Sequence, residues 1–511
     1  MDNLLGILQG FQTLFIPGVF IYVLLGFIVG TFFGAVPGLT ATLAIALLLP
    51  VTYSMDIVKS LVMCMGIYMA GMYSGSITAI TINIPGAPSA MMTAIEGNKM
   101  MERGEGAKAL GQAAFASMIG GTIGSILLMI VAPFAVKLAL LIKTPGKFSL
   151  ILFAFVVVIL AQRKSIAKGA VATILGIMIA TIGIDIMQPA ARFTFGIDPL
   201  VQGIDLMPLI IGTFAISELL IQSEKSSDEY KLINKEMLKQ KISRRDFLPT
   251  IKEIKEIGLM TYIKGALIGY FIGVLPGAGG SMAAFISYAE AMRSSNDPDK
   301  FGTGTLEGIA AAESANNAVC GGALVPMLTF SIPGDAVAAV VLGVLIINGL
   351  QPGPRLMTTQ FHLVAPMFAA LFVSALIILP LTLYILGPYF IKIVTINRKI
   401  LYSSIALVAM VGGYVSTYST FQMLMTLIMG VIAYVLRKQN YPTVSLLLGF
   451  ILGPMIEKYF RRSLYINDGN PLIFFTQWDS IVFLLLIVVF YYFLTKRKGV
   501  DIKEIIEKNR S

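Results

Sequence analysis

About a dozen stretches of this 511-residue chain are apolar, nearly free of charge and close to bilayer-spanning length, and nothing else restricts the fold so tightly. They run approximately 13–33, 57–82, 109–133, 148–161, 167–187 and 206–222, then 257–275, 305–332, 360–391, 400–416, 420–436, 442–457 and 479–495. A helix rises 1.5 Å per residue, so about twenty residues cross a hydrocarbon layer some 30 Å thick. A β-barrel would instead alternate within strands of about ten residues. Composition agrees: only 13% of residues are charged, where soluble domains carry about 25%. The expected fold is an all-α polytopic membrane protein of about twelve transmembrane helices.

Shorter apolar pieces, 40–52, 88–95, 278–292 and 335–349, are too short to cross and suit half-helices or re-entrant hairpins. Each follows a Pro-Gly break. The first break lies in Gly34–Ala44 (GAVPGLTATLA) and is echoed in Gly273–Ala283 (GVLPGAGGSMA). A second lies in Thr78–Ala90 (TAITINIPGAPSA) and is echoed in Pro326–Ala338 (PMLTFSIPGDAVA). Broken helices leave N–H and C=O groups unpaired, which hydrocarbon penalises unless protein, water or solute pairs them. Interrupted segments at corresponding positions of two halves point to a transporter's binding site. A single such break more often serves packing, since Gly and Pro are common in membrane helices. Two matching pairs favour function.

Charge sets an orientation. Net charge is +10, but the basic residues gather in a few loops and the C-terminal tail, so it gives no case for nucleic acid. Arg163, Lys164 and Lys168, the 223–256 stretch, Lys392, Arg398 and Lys399, Arg437 and Lys438, and Lys496–Lys498 mark inside loops. Counting spans places Thr144 outside and its counterpart near Thr395 inside, so the halves run in opposite directions as inverted-topology repeats. Pro37 and Pro276 are 239 residues apart, Pro85 and Pro333 are 248 apart, and Gly212 and Gly449 are 237 apart. The expected division is 1–222, first repeat; 223–256, cytoplasmic linker; 257–457, second repeat; 458–511, an added helix and basic tail. Lys137, Lys143, Lys147, Lys458, Arg461 and Arg462 fall outside on this scheme and strain it.

The breaks suggest chemistry. A half-helix resuming after Pro-Gly presents unpaired N–H groups and a positive dipole end, suited to a carboxylate. Expected substrate-binding residues are Pro37, Gly38, Thr40 and Thr42; Gly86 and Ser89; Gly277, Gly279, Gly280 and Ser281; and Gly334. Freed carbonyls and side-chain oxygens suit a small hard cation, so Thr81, Asn83, Asn316, Asn317, Ser331 and Asp335 are candidate Na⁺ ligands. Asp335 reads equally as an exposed N-cap at a hairpin tip, and Arg355 equally as a partner for a substrate carboxylate or an interfacial anchor. Glu313, Ser314, Asn316 and Asn317 form a run polar enough to line a cavity. Glu96–Lys108 alternates in charge and reads as a solvated loop.

Other classes find little support. Cys64 and Cys320 make no disulfide or metal pattern, and one histidine, His362, makes no His-based site. The first basic residue is Lys59, so no cleaved signal peptide is expected. No Walker A phrase and no paired nucleophile and base appear, so an enzyme is not expected. A channel with re-entrant selectivity hairpins is the alternative to a transporter.

The chain resembles the TctA family, the large membrane subunit of tripartite tricarboxylate transporters. The resemblance is carried by residues 34–50 (GAVPGLTATLAIALLLP), 73–100, 192–220, 271–291, 301–354 and the Gly449–Glu457 region. It implies a secondary transporter in a bacterial inner membrane that imports a carboxylate such as citrate by symport with Na⁺ or H⁺. It also implies a small membrane partner of about four spans and an extracytoplasmic solute-binding protein. No other cofactor is implied.

Overall fold

A computed structural model describes residues 2–162, 165–224, 244–393, 398–415 and 418–496. The inside markers Arg163 and Lys164, residues 225–243 of the linker, and Arg497 and Lys498 lie outside the described residues. Helices dominate. In chain order they are α1 (Asp2–Leu14), α2 (Pro17–Ala35), α3 (Ala41–Tyr53), α4 (Ile57–Ile82), α5 (Met91–Glu102), α6 (Gly106–Leu141), α7 (Thr144–Ala161) and α8 (Ile166–Ala180). A π-helical turn, Gly212–Ile216, joins α9 (Leu206–Ile211) to α10 (Ser217–Glu224) as one rod. The second half holds α11 (Ile251–Ile257), α12 (Leu259–Val274), α13 (Gly279–Ser294), α14 (Leu306–Phe330), α15 (Ala336–Ile347) and α16 (Pro354–Thr359). Next come α17 (Phe361–Val373) and α18 (Leu379–Ile393), joined by a π turn at Ser374–Ile378. The chain ends with α19 (Arg398–Val415), α20 (Thr420–Lys438), α21 (Thr443–Ile466), α22 (Ile473–Thr476) and α23 (Trp478–Lys496).

Among the described residues, eight helices are long and apolar enough to cross a membrane, or nine with the pair α11–α12, bent by 95°. Six shorter apolar helices accompany them, α3 and α15 included. The chain is therefore a multi-pass, all-α membrane protein. Two expectations are corrected. Glu96–Lys108 is not a solvated loop: it forms most of α5 and the start of α6, and Glu96 is completely buried. Its carboxylate accepts from Tyr288 Oη (2.6 Å) and the N–H groups of Gly302 (2.6 Å), Gly304 (2.7 Å) and Thr305 (2.9 Å). Asp335 is an N-cap, as one reading had it, but a buried one. Cys64 and Cys320 are free and buried.

The two halves share one packing scheme. Helix α2 lies along α4 and α12 along α14. A Cβ added at Gly26, Gly30 or Gly34 would collide with the backbone or side chains of Met63, Ile67 and Gly71–Ser74 respectively. At Gly265, Gly269 and Gly273 the same addition meets the carbonyls of Ala311, Ala315 and Val319. Small residues at four-residue spacing let backbones touch, which is how helices associate without a hydrophobic drive from lipid. Both α4 and α14 then stop in the same way. Asn83 (φ 56°) and Ser331 (φ 61°) take left-handed conformations two residues before Pro85 and Pro333. Ile84 donates to Thr78 O (3.3 Å) and Ile332 to Pro326 O (3.2 Å), so just after the left-handed residue each helix end closes through a bond to the carbonyl six residues back. Proline forces this ending, because it lacks an N–H and biases its predecessor away from helix.

The later helices exchange partners between halves. Gly176 and Gly449 seat α8 against α21, while Gly212 abuts Thr426 and Gly430 of α20. Between α8 and α9 a short hairpin, unforeseen in the sequence, pairs β1 (Gly183–Ile184) with β2 (Ala191–Arg192). Arg192 and Arg461 each contact Asp185 (3.2 and 2.7 Å) and Glu457 (2.8 and 2.9 Å). Arg461, one of the basic residues that strained the orientation scheme, is thereby neutralised.

The hairpin makes one pH prediction. The Met187 N–H, then the Arg461 guanidinium, the Gln188 N–H and the Arg192 charge, hold the Asp185 carboxyl down at about 2. A depressed folded pKa contributes stability that is full above the ordinary carboxylate range and is lost as pH falls toward the folded value. Protection of the amides of 183–192 from hydrogen exchange, taken relative to the unfolded-chain rate at each pH, should therefore hold down to about pH 4 and fall between about 4 and 2. Asp185→Asn should lower it already at neutral pH. Protection indifferent to both would show that these ion pairs do not hold the hairpin.

Candidate functional site

All four breaks border one cavity of about 650 Å³. The first contributes Thr40, Ala41 and Thr42, and the second Ala87, Pro88 and Ser89. The third contributes Gly277–Met282, and the fourth Asp335, Ala336 and Val337. Helix starts converge here. Thr40 caps α3, its Oγ1 accepting from the Leu43 N–H at 3.2 Å. Asp335 caps α15, its Oδ1 accepting from the Ala338 N–H at 2.8 Å, while Tyr68 Oη donates to Oδ2 at 2.6 Å. Helix α13 begins at Gly279 with no side-chain cap. The first N–H groups of a helix have no partner inside it, and its dipole is positive there. Three such ends facing one cavity, that of α13 without a side-chain cap, make it receptive to an anion.

Of the residues singled out in the sequence, Thr40, Thr42, Ser89, Gly277, Gly279, Gly280, Ser281 and Asp335 line this cavity. Pro37, Gly38, Gly86 and Gly334 do not line it but shape its walls. Gly38 (φ 88°) packs on the Gln222 side chain. Gly86 donates to Gly75 O (3.1 Å) and Gly334 to Ala323 O (3.3 Å), eleven residues back in both halves. Gly277 donates to Gly334 O (2.8 Å), tying the third break to the fourth. Among the candidate cation ligands, Asp335 stands alone on the cavity. Asn316 and Asn317 are wholly buried behind its wall, and Thr81 Oγ1 donates to Ile77 O (2.8 Å) within α4. Asn83 is exposed, and Ser331 donates to Pro352 O (2.7 Å) beside a different cavity. Arg355 is exposed and lines neither, although Gln351–Pro354 just before it line the second.

Sequence reasoning missed the opposite wall. Ala161 and Gln162 end α7 there, and Arg437, Asn440 and Tyr441 enter with the turn between α20 and α21. Arg437 donates to Glu218 Oε2 (2.6 Å) and Ser217 Oγ (3.1 Å), and Gln222 donates to Glu218 Oε1 (2.6 Å). Arg437 is thus linked through Glu218 and Gln222 to Gly38 at the first break. An Arg-Lys pair ending an apolar run signalled only an inside loop. Nothing local told that packing returns it to the site.

A second cavity, about 530 Å³, sits at the other ends of the shared helices. It meets α7 at Lys147–Ile151 and α15 at Ile346, where the first cavity meets Ala161–Gln162 and Ala336–Val337. Helix α7 is long enough to cross, so the two cavities lie toward opposite faces. Lys147 and Lys458, two more of the misplaced basic residues, line the second one with Gln351 and Tyr459.

The profile of a family described as "Tripartite tricarboxylate transporter TctA family" matches residues 20–448. A relative from Agrobacterium vitis, described as "Uncharacterized 52.8 kDa protein in TAR-I ttuC' 3'region", is 33% identical over 476 residues, 93% of each chain. Another from the same organism, "Uncharacterized protein in TAR-II ttuC' 3'region", is 36% identical over 208 residues, covering 41% of this chain and 86% of its own. No solved structure matches.

Proposed function

The chain belongs to the tripartite tricarboxylate transporter TctA family, and from that premise we propose that it carries an organic anion of the di- or tricarboxylate class through the four-break cavity. The convergence of all four breaks, with three helix N-termini and Arg437, on one cavity supports this reading. Backbone N–H groups and a guanidinium stabilise carboxylates at fixed geometry without a deep pocket of buried charge. In this reading the halves 1–222 and 257–457 are inverted repeats, joined by the 223–256 linker. Their motion opens the site alternately to each face. The Gln162 and Arg437 side carries the inside markers, so the 650 Å³ cavity opens toward the cytoplasm of a bacterial cell. The lysine-lined cavity then receives the anion on the far side, from an extracytoplasmic binding protein. A small four-helix subunit completes the complex, and a Na⁺ or H⁺ gradient drives accumulation.

The test is uptake of radiolabelled citrate and shorter dicarboxylates by vesicles holding the chain with its partner proteins. Expected is accumulation that needs both the binding protein and a cation gradient. Ion current that needs no binding protein, with no accumulation, would replace the transporter by a channel.

A further inference from the structure

Behind the cavity wall lies a polar cluster that no step above uses. Glu313, on α14, is wholly buried. Its Oε1 accepts from Thr93 Oγ1 of α5 at 2.5 Å, and its Oε2 from Ser117 Oγ of α6 at 3.1 Å. Its own helix adds the Asn316 side chain, and α4 turns Tyr73 toward it. None of these groups is basic. The cations of α5 are turned elsewhere: Lys99 donates to Gly302 O, and Arg103 to Thr303 O and Gly304 O. The other acid of α5, Glu96, is held by Tyr288 and three backbone N–H groups. Among the described residues, no basic side chain pairs with Glu313.

An ionised carboxylate so placed costs several kcal/mol, more than two hydroxyl donors offset. A cation must accompany it. Nearby acceptors are waiting, for Asn316 Oδ1 and Asn317 Oδ1 are buried without a donor, as is the Ser89 hydroxyl. Their amide nitrogens are engaged, Asn316 Nδ2 with Met72 O (2.9 Å) and Asn317 Nδ2 with Met69 O (3.2 Å). The cluster also touches the solute site. A Cβ at Gly280 would lie 2.5 Å from Asn316 Oδ1 and 3.1 Å from Ser89 Cβ, so Asn316 backs directly on the start of α13.

We propose that Glu313 carries the coupling cation as a proton on its carboxyl group. The proposal rests on the transport reading above. Protonation turns one carboxylate oxygen from acceptor to donor, and the Asn316 amide oxygen, unpaired where it backs on Gly280, can accept from it once the amide turns over. The ionised form instead accepts from the Asn316 amide nitrogen. Asn316 therefore takes one orientation per charge state and passes the difference to Gly280 and Ser89 at the site. The proton comes from water on the extracytoplasmic face and leaves to water on the cytoplasmic face. One positive charge thus moves inward with each anion carried.

Glu313→Gln keeps the size and hydrogen bonding of the protonated acid and cannot release a proton. In vesicles holding the complete transporter, the variant should still exchange internal unlabelled citrate for external radiolabelled citrate. It should lose accumulation driven by an imposed pH gradient, citrate merely equilibrating. Accumulation at the parent level by Glu313→Gln would overturn the proposal. So would parent accumulation driven by a Na⁺ gradient alone at fixed pH, or loss of exchange in a variant present at normal level in the membrane. Should the amide variant not reach the membrane, Glu313→Asp retains an acid at a different depth, and coupled uptake with a displaced pH profile is expected. An unchanged profile would overturn the assignment. Parent vesicles that move no carboxylate would remove the transport reading itself, an outcome distinct from all of these.

Discussion

Gly334→Ala, and its counterpart Gly86→Ala, should remove the folded transporter from the membrane, and uptake should disappear with it. A Cβ at Gly334 would collide with Gly273 O and lie 2.6 Å from Ala323 Cα. One at Gly86 would collide with Gly34 O and lie 2.9 Å from Gly75 Cα. Both obstacles are backbone, so no rotamer change relieves them. Relief requires the break to withdraw from the helix pair, which loses the Gly334–Ala323 or Gly86–Gly75 hydrogen bond and the contacts around it. Overpacking typically costs about 1–3 kcal/mol, and a backbone obstacle puts these two at the upper end, a large share of a typical stability of about 5–15 kcal/mol. Fluorescence-detected gel filtration after heating would read the loss. Parent-like melting of Gly334→Ala would mean that the close approach is not part of the fold. The four break glycines are thus not equivalent: those of the second and fourth breaks hold the scaffold.

How the site is built explains what the sequence could show. A Pro-Gly pair acts through its own φ restriction and missing N–H, so the stops after α4 and α14 are written locally. The seating of α2 on α4 and α12 on α14 was legible only in part. Glycines at four-residue spacing are visible, but which carbonyl each meets is a tertiary fact. Helix α5 was misread because alternating charge looks solvated. Its Glu96, Lys99 and Arg103 instead grip the backbone of 302–305, where the partner is main chain and carries no side-chain signature. Arg437 signalled only an inside loop and was missed as a lining residue, since only the packing of α20 and α21 brings it to the cavity that Thr42 and Ser281 also line. The polar run at Glu313 was noticed, yet its depth comes from burial by α5 and α6, which spacing along α14 does not report.

Gly279→Leu should have the opposite signature to Gly334→Ala, with a folded protein that does not transport. Gly279 starts α13 on the cavity with φ 62°, and the nearest atom to an added Cβ is Asp335 Cβ at 3.7 Å. The left-handed backbone costs a non-glycine residue about 1–2 kcal/mol, which a stable helix bundle tolerates. No backbone lies within contact of the added Cβ, so leucine extends from the start of α13 into the cavity. It excludes the anion from the one helix start with no side-chain cap, and a carboxylate bound there loses its backbone donors and its room together. Membrane level and melting should stay near the parent, citrate uptake and exchange should both vanish, and Gly279→Ala should fall between. Loss of exchange separates this defect from that of Glu313→Gln, in which exchange continues and only accumulation fails. Parent-rate exchange in Gly279→Leu would place the anion elsewhere, the lysine-lined cavity at the opposite ends of α7 and α15 being an enclosure of comparable size.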